Sequence, residues 1–242
     1  MTLLVESLEL FLSNRNIVKE VTLNVDPGEV VGLLGPNGAG KTSTFNMIVG
    51  LIKPNKGNIY LDGNCIKNFP MTKRVQLGIG YLAQEPSVFR NLTVRENLDI
   101  ALFNSGLSKS LCRNKRETLI EKFNLASFVD RYGYQLSGGE RRRCEVARAL
   151  AVGGSGPKYL LLDEPFAGID PIAVNDLQKL IDRLKQSGLG ILITDHNVRA
   201  TLAITDRTYI LSEGKIIANG TPDQIAENSI VKENYLGTSF QL

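Results

Sequence analysis

The eight residues Gly35-Pro-Asn-Gly-Ala-Gly-Lys41-Thr42 limit what this chain can fold into more than any other stretch of it. They fit the pattern G-x-x-x-x-G-K-[ST], between a continuous apolar run, Val30–Leu34, and a helical pattern, Thr42–Val49. Glycines in a strand-to-helix loop let successive backbone N–H groups turn inward, because no Cβ obstructs an approaching anion. The new helix aims the positive end of its dipole at the same place. The expected phosphate contacts therefore run from Gly35 through Pro36, Asn37, Gly38, Ala39 and Gly40 to Lys41, Thr42 and Ser43. Lys41 would reach the β- and γ-phosphates, and the Thr42 hydroxyl would be a Mg²⁺ ligand. A nucleoside triphosphate site follows, with kinase, GTPase and transport ATPase chemistry still open.

The rest of the chain supplies a frame for that loop. Val30–Leu34, Tyr159–Leu162 and Gly190–Thr194 are short apolar runs of the kind buried on both faces of a sheet, and helix-like stretches separate them. Such alternation predicts a mainly parallel α/β sheet that binds ligands at the C-terminal ends of its strands. Ahead of it, Val21–Val25 alternates as a half-buried antiparallel strand does, with Ser13–Asn16 as a polar turn. Between Gln84 and Leu136 the texture becomes helical. Thr93 and Glu96 form a possible capping box before Leu98, Ala101 and Leu102, and further helical pattern covers about residues 108–130. Residues 86–156 are thus expected to be a helical subdomain inserted into a core made of residues 1–85 and 157–242, with Gly153–Gly156 a flexible loop leading back.

Composition narrows the setting. The 242 residues are 43% hydrophobic, enough for a sizeable core. Lys and Arg total 28 against 25 Asp and Glu, so the net charge of +3 makes no case for a nucleic-acid partner. No apolar run approaches the roughly 18–20 residues that cross a bilayer, and the N-terminus shows no secretory pattern. Three widely spaced cysteines suit a reducing compartment and lack metal-ligand spacing. The expectation is a soluble cytoplasmic chain, whose work on a membrane would need a separate spanning subunit.

Two further motifs bear on chemistry. The run Tyr159–Leu162 ends in Asp163 and Glu164, and adjacent residues on a strand point to opposite sides. Asp163 can therefore hold a Mg²⁺ shell while Glu164 orients or deprotonates an attacking water. Leu136-Ser137-Gly138-Gly139-Glu140 opens a helix that continues through Leu150. Ser137 and Glu140 make a capping box, and the Gly138 and Gly139 amides with the helix dipole make an anion site.

Taken with Gln84 at the end of Tyr81–Ala83, these motifs resemble those of the ABC transporter ATPases, over essentially the whole chain. The resemblance implies an α/β P-loop NTPase of ABC ATPase type: a RecA-like core, an antiparallel β subdomain and an inserted helical subdomain. It implies hydrolysis of ATP with Mg²⁺. Gln84 would be the Q-loop residue that senses Mg²⁺, the attacking water and the transmembrane partner; Ala167–Asp170 would be the D-loop. His196, the one histidine in the sequence, would contact the γ-phosphate. Ser137, Gly138 and Gly139 of one subunit would close on ATP held by the other, in an ATP-dependent homodimer or a pseudo-dimer with a related ATPase. Transmembrane subunits would dock on Gln84–Arg90, with Phe89 and Arg90 lining the groove, although Phe89 reads equally as a core aromatic. The chain would then sit on the cytoplasmic face of an inner membrane, or in the stroma of a plastid.

Within the family, Gly32–Thr42, Leu161–Pro171, Leu192–Val198 and Tyr235–Gly237 resemble the lipopolysaccharide-export branch, with Asp195-His196-Asn197 the most informative segment. Another ABC ATPase, such as one driving branched-chain amino-acid import, is the alternative. A single domain with a short insertion argues against the members that act on DNA or ribosomes. Two departures stand out. Leu12, beside Phe11, occupies the place of the aromatic that stacks on adenine in the family, and Gly153–Gly156 is longer than the matching turn.

Overall fold

The computed structural model describes residues 1–13, 15–103, 105–153 and 156–242. Its strands are β1 (Leu3–Leu12), β2 (Arg15–Val25), β3 (Val30–Leu34), β4 (Lys56–Leu61), β5 (Asn64–Cys65), β6 (Ile79–Leu82), β7 (Tyr159–Asp163), β8 (Gly190–Thr194), β9 (Arg207–Ser212) and β10 (Lys215–Gly220). The main helices are α1 (Lys41–Val49), α2 (Met71–Gln76), α3 (Val94–Phe103), α4 (Lys109–Lys122), α5 (Gly138–Ala151), α6 (Pro171–Gln186), α7 (Val198–Leu202) and α8 (Pro222–Glu227). One sheet is antiparallel, in the order β2-β1-β4-β5. The other has the order β10-β9-β3-β8-β7-β6 and is parallel except for β10 at its edge.

The short apolar runs are buried because each strand of the parallel sheet feeds two cores. On β7, Tyr159 and Leu161 pack with Phe45 and Met47 of α1 and with Leu8 and Val21 of the antiparallel sheet. Leu160 and Leu162 alternate to the opposite face and join Leu98, Leu119, Val146 and Leu180 from α3, α4, α5 and α6. Helix α1 is therefore sandwiched between the two sheets. The segment between β6 and β7 holds α3, α4 and α5 and, among the described residues, no strand of either sheet. Its side chains share one hydrophobic cluster with the parallel sheet, so its position is transmitted to the strands.

Local expectations fare unevenly. The capping box at Thr93 is present: Glu96 N–H donates to Thr93 Oγ1 at 3.2 Å and Thr93 N–H to Glu96 Oε2 at 2.7 Å. The turn between β1 and β2 is tighter than Ser13–Asn16, because Leu12 already pairs with Arg15 and Asn16 with Phe11. Asn14 lies outside the described residues, as do Gly154 and Ser155 of the glycine-rich loop. The helical pattern across residues 108–130 breaks where Asn124 takes φ +51°, leaving α4 and a short 3₁₀ turn at Ala126–Phe128. Among the described residues no helix is long and apolar enough to cross a membrane.

A buried arginine fixes the far end of α1. The helix ends at Gly50, φ +88°, and its last carbonyls need partners. Arg74 of α2, only 1% exposed, donates to Met47 O and Ile48 O at 2.7 Å each, to Phe69 O at 2.8 Å and to Lys67 O at 2.9 Å. Burial pulls its guanidinium down to about 10, the cost of placing a cation where only neutral carbonyls receive it. Replacing it strands all of those acceptors. Arg74→Met should lower stability by about 3 kcal/mol in urea unfolding; a loss below about 1 kcal/mol would contradict the clasp.

Candidate nucleotide site at the strand ends

The loop after β3 is wedged between β2 and β9. A Cβ on Gly35 (φ +152°) would lie 1.9 Å from the Leu211 carbonyl oxygen, and one on Gly40 (φ +104°) would lie 2.9 Å from that of Ile17. Only glycine fits either place. Gly40 is also the N-cap of α1 and supplies no side-chain cap, so the first-turn amides of Lys41, Thr42 and Ser43 remain to meet an anion. Asn37, Gly38 and Thr42 are exposed, Pro36 and Ser43 half-buried, and Ala39 buried. Lys41 is 6% exposed and donates to Gly35 O at 2.7 Å and Pro36 O at 3.0 Å. Burial lowers the pKa of its ammonium, while Glu164 and Asp163 act in the other direction.

Strands β6, β7 and β8 end beside this loop, and their next residues converge on one carboxylate. Gln84 Nε2 donates to Glu164 Oε2 at 2.9 Å, and His196 Nε2 lies 2.6 Å from Glu164 Oε1. The three residues expected to serve hydrolysis are thus in direct contact. The reason Asp163 and Glu164 diverge is not strand alternation: β7 ends at Asp163, and Glu164 adopts the left-handed region at φ +50°. That conformation costs a non-glycine residue on the order of 1 kcal/mol. It is held by Glu164 N–H donating to Thr194 O at 2.8 Å.

Asp163 is 1% exposed, and its Oδ1 has no hydrogen-bond partner; the buried Thr194 Oγ1 beside the same strand end has none either. Its Oδ2 receives a long bond, 3.5 Å, from the Tyr81 hydroxyl. Burial, and then the neighbouring Glu164, push this carboxyl up to about 6. An orphaned buried carboxylate oxygen fits a hard divalent cation, which takes oxygen ligands.

The signature segment behaves as its sequence implies and adds a packing constraint. Ser137 Oγ accepts from Glu140 N–H at 3.3 Å and Glu140 Oε2 accepts from Ser137 N–H at 2.9 Å, closing the capping box of α5. Cβ atoms on Gly138 and Gly139 would come within 2.8 Å of Gly168 O and Ala173 Cβ, so these glycines let α5 sit on residues 168–173. Asp170 caps α6 through Ile172 N–H and Ala173 N–H, 3.0 Å each. Asp195 is buried and joins two loops, accepting from Phe166 N–H and Asn197 N–H at 2.8 Å each.

Arg142 is absent from every motif read in the sequence, yet it braces the site. It is 5% exposed and donates to Asp163 O (3.1 Å), Glu164 O (2.6 Å), Pro165 O (3.0 Å) and Ala83 O (3.1 Å). One signal was available: position 142 falls on the same helical stripe as Val146 and Leu150, where a charged residue needs a reason. Phe89 is no core aromatic. It is 43% exposed, with the Arg148 guanidinium 4.6 Å from its ring centroid. Phe11 and Leu12 are both exposed at the end of β1, and a register shift after Leu10 removes the alternation that would tell which one faces the loop.

A phosphate loop, a strand-end acid pair and a signature helix on one α/β frame define a transport ATPase cassette. The family model described as ABC transporter matches residues 18–167, and the chain belongs to that family, as an ATP-binding subunit that hydrolyses ATP. It is 53% identical over 238 residues to the lipopolysaccharide export system ATP-binding protein LptB of Haemophilus influenzae, covering 98% of each chain. It is 50% identical over 242 residues to the protein of that name from Escherichia coli (strain K12), covering 100% of this chain and 99% of the other. Among solved structures, the ADP conformation of an ATP-binding cassette of an ABC transporter superposes with a TM-score of 0.87 at 29% identity, covering 98% and 99% of the two chains.

The raised pKa of Asp163 has a measurable consequence. Its folded value, about 6, exceeds the ordinary 3.8, so the native state holds this proton more tightly than the unfolded chain does. The stability it lends is complete below about pH 4 and lost as pH rises through 6. Asp163→Asn should therefore stabilise the nucleotide-free chain at pH 7.5 by roughly 3 kcal/mol. That difference should shrink as pH falls through 6 and vanish only below about pH 4, where the carboxyl is protonated in the folded and unfolded states alike. Equal unfolding midpoints for the two proteins at pH 7.5 would contradict the assignment.

Proposed function

We propose that this chain hydrolyses ATP to drive lipopolysaccharide export through separate transmembrane subunits, from the cytoplasmic face of an inner membrane. The observation that carries the hydrolytic part is the Glu164 carboxylate, fixed between Gln84 and His196 at the mouth of the phosphate loop. Similarity to export ATPases at 50–53% identity over nearly the whole chain supports the cargo.

In this reading the amides of residues 35–43 and the Lys41 ammonium bind the phosphates, with Lys41 leaving the Gly35 and Pro36 carbonyls for them. Mg²⁺, when bound, supplies neutralising charge on the phosphates, and Asp163 and Thr42 would hold it, with Gln84 at the edge of its shell. Glu164 orients the attacking water and draws its proton, and His196 holds Glu164 on one side while facing the terminal phosphate on the other. Leu12 or Phe11 offers the surface on which adenine rests. Ser137, Gly138 and Gly139 close on nucleotide bound to a second copy, because a half-buried α5 N-terminus with two glycines suits a phosphate. Each site is then completed by dimerisation.

Residues 86–156 act as the unit that carries both this signature and the membrane contact. The contact surface is preformed. Asn97, fully buried, holds the loop before α3 by accepting from Phe89 N–H (2.9 Å) and donating to Phe89 O (3.1 Å) and Thr93 O (2.9 Å). A cleft of about 220 Å³ beside it is lined by Pro86, Val88, Arg90, Tyr134 and Leu136. A cleft with mixed polar and apolar lining and cationic edges, on a loop hydrogen-bonded to Asn97, fits a short amphipathic helix from a transmembrane subunit.

The test is capture of the tagged chain from detergent-solubilised membranes. Lipopolysaccharide-export permease subunits should copurify with it, and Phe89→Ala should lose at least about tenfold of that yield with its melting temperature unchanged. Recovery of an amino-acid importer's permease would overturn the export reading.

A further inference from the structure

Glu145 lies on α5 one turn after Arg142 and is 3% exposed. Its two oxygens serve different neighbours. Oε1 accepts from the backbone N–H groups of Ser87 (2.7 Å) and Val88 (3.2 Å), and Oε2 receives Arg142 Nη1 at 3.1 Å. Arg142 spends its remaining donors on the carbonyls of Ala83, Asp163, Glu164 and Pro165. Every partner of the pair thus belongs to one of two segments. One is the strand-end stretch 83–88, which carries Gln84 and leads into Phe89; the other is the turn that holds Glu164 in its left-handed conformation.

We propose that Glu145 is the positioning residue through which the membrane-facing loop 87–90 sets the hydrolytic turn at Glu164. The proposal rests on the assignments of Phe89 as a docking residue and Glu164 as the hydrolytic carboxylate. A shift of Ser87 and Val88 by a docked partner pulls on Oε1. Glu145 is held by its own helix, so the shift passes through Oε2 to the Arg142 guanidinium, a planar group with fixed donor directions. The guanidinium cannot move without dragging the carbonyls of Asp163 and Glu164, because unpairing any member of a dry, fully bonded network is costly. A displacement of about 1 Å at a reacting group is enough to change a rate on the order of a hundredfold.

A pair whose only task is to glue α5 to the sheet has no need to divide its bonds this way. An ion pair three residues apart on one helix could satisfy itself with the helix's own neighbours. Here the acid takes two amides from the partner side, and the base takes three carbonyls from the catalytic turn and one, Ala83 O, from the stretch that carries Gln84. The Arg148 guanidinium reinforces the first arm, donating to Ser87 O while lying over the Phe89 ring. Asp195, which also faces Arg142, steadies the opposite end of the catalytic turn through Phe166.

The experiment compares ATPase activity of the full chain alone with that of the purified complex with its membrane partners. Glu145→Gln keeps the size of the side chain and an oxygen for Ser87 and Val88 but removes the charge that holds Arg142. The ratio of complex to isolated activity should fall on the order of tenfold, with KM for ATP within about threefold of the original and faster amide exchange across residues 84–90. A role in glue alone predicts that both activities fall together and the ratio stays. Should Glu145→Gln fail to fold, Glu145→Asp keeps the charge and retracts it by one methylene, and the same ratio decides. Phe89→Ala and Glu164→Gln run beside it. If the first still assembles or the second still hydrolyses ATP, the underlying assignments fall. If both behave as assigned and the Glu145 variant keeps full stimulation, the relay alone is refuted.

Discussion

The Glu164 carboxylate, held between Gln84 Nε2 and His196 Nε2, is the interaction on which the rest of the site depends. Three strand ends have to meet for it to exist: β6 delivers Gln84, β7 delivers Glu164 and β8 delivers His196. Parallel pairing in the order β8-β7-β6 places those ends side by side, and the register that sets Asp163 opposite Thr194 aligns them. The carboxylate stays in place because the backbone beneath it is fixed twice, by its own N–H on Thr194 O and by Arg142 on its carbonyl. An unfavourable φ is tolerated where surrounding bonds over-determine it, and such places tend to be functional.

The same region concentrates electrostatic cost. Asp163 is buried with an unpaired oxygen, Lys41 is buried against two carbonyls, and Arg142 and Glu145 are buried as a pair. Most of a domain avoids such placements, since a charge removed from water is several kcal/mol worse off unless fully bonded. The fold offsets them with two hydrophobic cores that share the parallel sheet, and with clasps such as Arg74 at the distal end of α1. Apart from Lys41, which exchanges its two carbonyls for phosphate, such a preorganised site has little reorganisation left to do when a highly charged substrate arrives.

Much of this was legible in the residues because the chemistry imposes spacing. The run Gly35–Thr42 predicts its strand, loop and helix together, and the apolar runs at Tyr159 and Gly190 predict β7 and β8 within a residue. Ser137 and Glu140 announce their capping box directly. What stayed hidden depends on contacts distant in sequence. Arg142 looks like one of three arginines in a row until α5 is docked and only it is buried. The meeting of Gln84 and His196 on one carboxylate requires the strand order, which no local pattern states. Phe89 read equally well as core or surface, because a single aromatic carries no periodicity; Asn97 and Arg148 decide the matter. The divergence of Asp163 and Glu164 was anticipated for a reason that does not hold, since a left-handed residue and not strand alternation produces it.

In the proposed mechanism Gln84 and His196 act through one group, Glu164. A double-mutant cycle on ATP hydrolysis tests this most directly, using Gln84→Ala, His196→Ala and the pair in the membrane-assembled complex at saturating ATP. If both residues work by holding the same carboxylate, the second substitution adds little, and the double variant should be no more than about threefold slower than the worse single one. Rate losses that multiply, leaving no coupling between the two positions, would contradict it.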